Sequence, residues 1–155
     1  MPAAAPAVAV ALQNLVGAHL TAIEHYVSLE QHFRRWGYSK LAAAAGADVA
    51  EERGHLDRLL GRCEYFDLPT DMEHPCPVWP RHDLLGILNA SLDLETAAAG
   101  AERISIVACR EQGDEISALV FAQNLEGSED SIEQIEAARL QISQMGLDNY
   151  LSAMV

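Results

Sequence analysis

Between Asp67 and Arg81 the chain reads DLPTDMEHPCPVWPR, with prolines at positions 69, 75, 77 and 80. Proline has no amide hydrogen and clashes with the preceding turn, so this segment cannot be helix, and it is too long for a tight turn. Everything around it is patterned for helix. From Ala7 to Trp36 an apolar stripe runs through Leu12, Leu15, Ala22, Tyr26, Leu29 and Phe33 at three-and-four spacing, which is one helix face. Trp36-Gly37 stops that helix, and Ser39 is placed to cap the next. A second helix runs to Phe66 with Leu41, Ala45, Leu59 and Phe66 on a common face. A short connection between long helices makes them antiparallel neighbours, whereas the proline-rich crossover lets the third helix run parallel to the second.

The third helix extends from His82 to about 112, with Leu85, Leu88, Leu92 and Ile106 inward. Gly113 breaks it and Asp114 caps a fourth, which carries Phe121, Leu125, Ile132, Ile135 and Ile142 to about 144. Met145-Gly146 ends that helix, and 148–154 is long enough for a short fifth. The expected boundaries are therefore about 7–36, 39–66, 82–112, 114–144 and 148–154, with a crossover at 67–81, in one domain over 1–155. The long helices span about 40–47 Å each at the standard rise. The fold class is all-α, a four-helix bundle of the ferritin-like kind with one long crossover.

Composition excludes other classes. Aromatic residues are 6% of the 155 while hydrophobic residues are 50%, which favours helices over a sandwich. Ten Lys+Arg against 23 Asp+Glu give a net charge of −13, so no nucleic-acid backbone is the expected partner. No apolar run is read as long enough to cross a bilayer, so no membrane partner is expected. The first ten residues carry no cation and make a poor secretory signal. Cys63, Cys76 and Cys109 are an odd number without framework spacing and read as reduced thiols in a cytosol.

Polar residues on the inward stripes carry the chemistry. His19 lies between Leu15 and Ala22. Glu52 and His55 form Glu-x-x-His on one face of the second helix. Glu95 follows Leu88 and Leu92 on the third. On the fourth, Ser128 and Ser131 lie between Leu125 and Ile135. A buried carboxylate is costly unless it is paired or ligates a metal. Two imidazoles and two carboxylates at similar depth suit Fe(II), Mn(II) or Zn(II). The bland alternatives are an accidental Glu-x-x-His, a satisfied core His19, and a Glu95 paired with an arginine.

The run LQNLVGAHLTAIEHYVSLEQHFRRWGYSKL, the Glu52-Arg53-Gly54-His55 tetrapeptide, the LDLE ending at Glu95 and the QMGLDNYL starting at Gln144 together resemble bacterioferritin, over nearly the whole chain from Leu12 to Tyr150. The resemblance implies a hollow cage of 24 subunits that stores ferric mineral in the cytoplasm, and a haem shared between two subunits. It also implies a di-iron centre with a Glu from the first and third helices and Glu-x-x-His from the second and fourth. Glu52 and His55 match the second-helix pair, and Glu95 matches the third-helix Glu. His19 stands where the first-helix Glu would be, and Ser128 and Ser131 stand where the fourth-helix Glu and His would be. Glu129 and Asp130 are no substitutes, because one residue along a helix rotates the side chain by about 100°.

His19, Glu52 and His55, with Glu95 nearby, then resemble a mononuclear 2-His-carboxylate site. The expectation is one divalent metal, iron or another, or none, and weak or absent ferroxidase activity. Such a chain would store iron in a homo-oligomeric cage or beside a second, competent bacterioferritin subunit. The alternatives are a metal-dependent enzyme or a cage handling a metal other than iron, and an inert structural or interaction bundle with no metal. Haem is not expected, since the family's haem-ligating methionine position holds Arg53. Glu24 and Arg53 either pair across a two-fold interface or are both solvated.

Four further features have a plain and a sharp reading. The acids from Glu111 to Glu136 are either a solvated face or a cavity lining. Met72, His74 and Cys76 are either chance or a soft-metal site. His25 and His32, a heptad apart, are expected on a surface or interface. Tyr26 is either a redox tyrosine near the metal or a core tyrosine with a satisfied hydroxyl.

Overall fold

The computed structural model describes residues 2–70, 73–75 and 83–155. Among these residues the chain forms five helices and no strand: α1 Pro6–Trp36, α2 Ser39–Tyr65, α3 Leu84–Glu111, α4 Glu115–Met145 and α5 Leu147–Ala153. This is the expected all-α architecture. Pro6 opens α1 where a missing amide costs nothing. Gly37 closes it with φ +84°, a left-handed conformation that a side chain would strain. The amide of Tyr38 returns to Phe33 O at 3.0 Å, so the corner into α2 is tight. The cap of α2 is Tyr38, with no side-chain bond, and Ser39 is already helical, contrary to the capping role expected for it.

The α3 boundary moves as well. Asp83 is in extended backbone and accepts the amide of Gly86 at 2.6 Å, so the helix starts after it; His82 lies outside the described residues. Asp114 caps α4 as expected, accepting from the Ser117 amide at 3.0 Å. Phe66 is the C-cap of α2 rather than part of it, and α4 runs one residue further than expected, to Met145.

Cross-helix pairs fix the directions. His19 meets Glu102 and His25 meets Ser91, so α3 runs antiparallel to α1. Arg58 meets Asn124 and Arg62 meets Ser117, so α4 runs antiparallel to α2. With α1 and α2 antiparallel across the short corner, α2 and α3 are parallel, as a long crossover requires. Its described pieces lie along α1: Thr21 Oγ1 donates to Pro75 O at 3.0 Å, and His74 Nε2 meets Glu24 Oε1 at 2.9 Å. A Cβ at Gly17 would be in ordinary contact with His74 and Glu73, so these residues lie directly on this face of α1.

The core is split in two. One apolar cluster gathers Leu29, Phe33, Leu41, Val49, Ile87, Ile142 and Tyr150. The other gathers Val8, Leu12, Leu15, Val16, Leu59, Ile106 and Phe121. A polar layer lies between them. The expected α1 stripe is buried throughout. On α3 Ile106 is buried as expected and Leu88 and Leu92 are half-buried, but at the start of the helix the buried residues are Leu84 and Ile87, whereas Leu85 is exposed. The short α5 is fastened by the chain's one lysine: Lys40 donates its backbone amide to Met154 O and its Nζ to Ala153 O at 2.8 Å. A cation on the last carbonyls complements the helix C-terminus.

One exclusion does not hold. By length and composition α1 could cross a membrane, with a window of mean hydropathy 1.4. Many of its apolar side chains fill the two core clusters, while Val10 and Val27 are exposed, and it carries His19, Glu24, His25 and Glu30. Among the described residues Cys63 and Cys109 are buried free thiols; Cys76 lies outside them.

Candidate metal centre

The polar layer is built by all four long helices. The side chains of His19 (α1), Glu52 and His55 (α2), Glu95 and Glu102 (α3), and Ser128 and Ser131 (α4) are all buried. His19 Nδ1 meets Glu52 Oε2 at 2.6 Å, and its other ring nitrogen, Nε2, meets Glu102 Oε1 at 3.0 Å. Glu52 Oε1 lies 3.5 Å from His55 Nδ1. The two imidazoles pack edge to face with centroids 5.2 Å apart. His19, Glu52 and His55 each offer a donor atom within 4.8 Å of the others. Glu95 stands apart from that trio: it accepts the Tyr26 hydroxyl at 2.6 Å. Tyr26 is thus a core tyrosine with a satisfied hydroxyl.

Proton affinities follow from this packing. Burial pulls the His19 pKa down, but the hydrogen bonds to Glu102 and Glu52 and their charges outweigh it and lift it to about 9. Burial pushes Glu52 up, yet its hydrogen bond to His19 and the nearby imidazoles of His19 and His55 bring it down to about 2. Glu95 is pushed up to about 8 by burial and by the charge of Glu52, so it holds a proton at neutral pH. Asp48, one turn before Glu52, is raised to about 7 by burial and by Glu51 and Glu52. Without metal, protons on His19 and Glu95 therefore reduce the negative charge of the centre.

The layer is not fully satisfied. Among the described residues His55 Nδ1, Glu95 Oε2, Glu102 Oε2 and Ser128 Oγ are buried without a hydrogen-bond partner. Orphaned buried polar atoms are rare in native proteins and mark places where water or an ion belongs. Two imidazoles and a carboxylate are a suitable donor set for one divalent ion. Binding through His19 requires the proton on the ligating nitrogen to leave. The fourth helix closes the space beside His55: a Cβ on Gly127 would lie 2.3 Å from His55 Nε2.

A model of the ferritin-like domain matches residues 9–145. The chain belongs to the ferritin-like family. Relatives include a bacterial ferritin of Pseudomonas aeruginosa, 29% identical over 145 residues and covering 93% of this chain and 94% of the relative. A bacterioferritin of Brucella melitensis is 25% identical, with coverage of 94% and 90%. A bacterial ferritin of Synechocystis sp. is 23% identical, with 97% of each chain covered.

Ferritin-like di-iron proteins take one Glu from each of two helices and Glu-x-x-His from each of the other two. This ferritin-like chain presents one such pair, Glu52 and His55, while Ser128 and Ser131 occupy the equivalent spacing on α4. Glu129 points away, as expected, and is held by Arg103 at 2.6 Å; Asp130 is also exposed.

Sequence reasoning missed Glu102, the least exposed carboxylate of the centre. Its signal was present, because Glu95, Ala99, Glu102 and Ile106 continue the inward stripe of α3. His25 is a correction: it is buried and bonds Ser91 Oγ at 2.8 Å rather than facing a surface. His32 is half-buried and packs on Trp36 with centroids 4.0 Å apart. Of the crossover trio, His74 engages Glu24, and Met72 and Cys76 lie outside the described residues. Arg53 is an exposed guanidinium; it has no soft donor, so the residue at the expected haem-ligand position does not fit haem iron.

Proposed function

We propose that this chain is a bacterioferritin-like iron-storage subunit of a cytoplasmic cage, with 24 copies in the assembly, whose centre holds at most one metal ion and oxidises iron weakly or not at all. The observation that carries this reading is α4. At the depth of the centre it offers the buried side chains of Ser128 and Ser131 and, against His55, the bare backbone of Gly127. Bridging two irons takes a carboxylate from that helix, and a serine hydroxyl is a poor substitute at neutral pH. His19, Glu52 and His55 are the residues that would hold the single ion, with Glu95, bonded to Tyr26, beside them.

In this reading the iron is cargo. The protein's own contribution is an acidic surface along α4, where Glu126, Glu129, Asp130, Glu133 and Glu136 are all exposed and raise the local concentration of cations. Rapid oxidation would then fall to a second, competent subunit in a mixed cage. Haem is not part of the proposal, because Arg53 stands in the ligand position. The compact trio His19, Glu52 and His55 also supports a second reading, a mononuclear metal enzyme or a cage for another metal. Zinc or manganese co-purifying at about one per subunit, with no iron mineral formed, would favour it.

Stopped-flow absorbance of Fe(II) oxidation by the purified homopolymer tests the first reading. The expected trace is slow throughout. A rapid phase saturating at about two irons per subunit, the di-iron stoichiometry, would overturn it.

A further inference from the structure

We propose that Glu102 is the positioning carboxylate of His19: it holds the Nε2–H of that ring so that Nδ1 faces Glu52 and His55 as a ligating lone pair. This inference rests on the reading of His19 as a metal ligand.

A histidine can ligate through either ring nitrogen, and the hydrogen bond at the other nitrogen decides which. Nδ1 of His19 lies on the side of Glu52, 2.6 Å from its Oε2, and Nε2 lies on the opposite side, 3.0 Å from Glu102 Oε1. Only Nδ1 therefore points into the group whose donor atoms lie within 4.8 Å of one another. Nδ1–H donates to Glu52 in the metal-free ring; with Glu102 keeping Nε2–H, the proton that leaves when an ion binds is the one on Nδ1, and the lone pair is exposed there. Without Glu102, Glu52 alone would draw the ring proton onto Nδ1 and produce the tautomer that cannot ligate toward His55.

Two features show that Glu102 is not simple filling. It is fully buried, and a buried carboxylate is costly where an aliphatic side chain would pack. Its Oε1 is bonded to His19, whereas its Oε2 has no partner among the described residues. The carboxylate thus has one shown contact, and that contact is the far nitrogen of a candidate ligand. A glutamate in the first-helix ligand position has no tautomer to fix, whereas the histidine that stands there in this chain does.

The test uses the full-length protein stripped with chelator. Cobalt(II) is titrated by visible absorption into the parent and into Glu102→Leu, Glu102→Gln and His19→Ala, with circular dichroism as the folding check. Loss of such an outer carboxylate is expected to weaken cobalt binding about 10–100-fold in Glu102→Leu. Glu102→Gln, whose amide oxygen still accepts from Nε2–H, should lose less. Solid-state NMR of zinc-loaded, 15N-histidine-labelled parent and Glu102→Gln should show His19 bound at Nδ1 in both, with the Nε2–H proton shifted further downfield in the parent, where it donates to a carboxylate, than in Glu102→Gln, a difference that simple core filling would not produce; equal Nε2–H shifts would overturn the proposal. Folded Glu102→Leu with parental or tighter cobalt affinity would overturn the proposal, as would an Nδ1–H ring in either labelled sample. Should Glu102→Leu fail to fold, the NMR result alone decides. Undiminished cobalt binding by His19→Ala would instead overturn the ligand assignment beneath it.

Discussion

Gly127→Ala should destabilise this protein, whereas the same change at Gly61 and Gly100 should stabilise it. All three glycines lie inside helices with ordinary φ, where alanine is favoured by about 1 kcal/mol. An added Cβ meets nothing within 4 Å at Gly61 or Gly100. At Gly127 it would lie 2.3 Å from His55 Nε2 and 2.7 Å from Glu51 Oε1. Glu51 is half-exposed and can swing aside. His55 is buried against His19 and must withdraw by about 1 Å to reach normal contact. Overpacking of that kind costs about 1–3 kcal/mol, which outweighs the helix gain and leaves a net loss of about 1 kcal/mol. The two controls should gain about 0.5–1 kcal/mol. For a chain of this size the gap corresponds to about 4–8 °C in Tm, measured by differential scanning calorimetry on chelator-treated protein. Because the displaced ring is a proposed ligand, cobalt affinity should fall in Gly127→Ala and stay constant in the controls. A Gly127→Ala protein as stable as Gly61→Ala, with parental cobalt affinity, would refute the packing argument and the placement of His55 with it.

Three further predictions follow from the same geometry. His19 is raised to about 9, so its contribution is complete below its ordinary value near 6.5 and is lost as pH rises through 9. Glu95 and Asp48, raised to about 8 and about 7, cost stability over the rise from their ordinary range to those values. All three act in one direction. Metal-free protein should therefore lose about 2 kcal/mol per pH unit between pH 6.5 and 8 in guanidinium denaturation, and a flat or rising profile would contradict these protonation states. Ser128→Glu combined with Ser131→His should add a rapid phase of iron oxidation; oxygen-electrode traces unchanged from the parent would show that α4 is not what limits the centre. Asp114→Ala removes both the cap on the Ser117 amide and the 3.3 Å contact with Arg62 and should cost about 1 kcal/mol; no change in Tm would mean that the cap is replaced by water.

The bundle and its crossover were legible because helix periodicity and four prolines leave few alternatives. The inward stripe of α1 was read residue by residue. On α3, two adjacent leucines fit the period equally well, and only packing against α1 and α4 selects Leu84 over Leu85. Polar residues at apolar positions exposed His19, Glu52, His55 and Glu95, because burying them needs a reason. Glu102 obeys the same rule, but its partner is on another helix 83 positions away, and no local spacing announces such a pair. His25 was misread for a related cause: its spacing to His32 is shared by one face, yet burial depends on Ser91 across the bundle. The separation of Glu95 from the trio is likewise a tertiary result, set by the Tyr26 hydroxyl.

The central claim is that one ion, not two, belongs among these helices. Anomalous diffraction from crystals soaked in zinc or iron measures it directly. The account predicts a single peak or none per subunit at this centre, within ligand distance of His19, Glu52 and His55, with the serines of α4 uncoordinated. Two peaks bridged by Glu95, or a ligand contributed by α4, would contradict it.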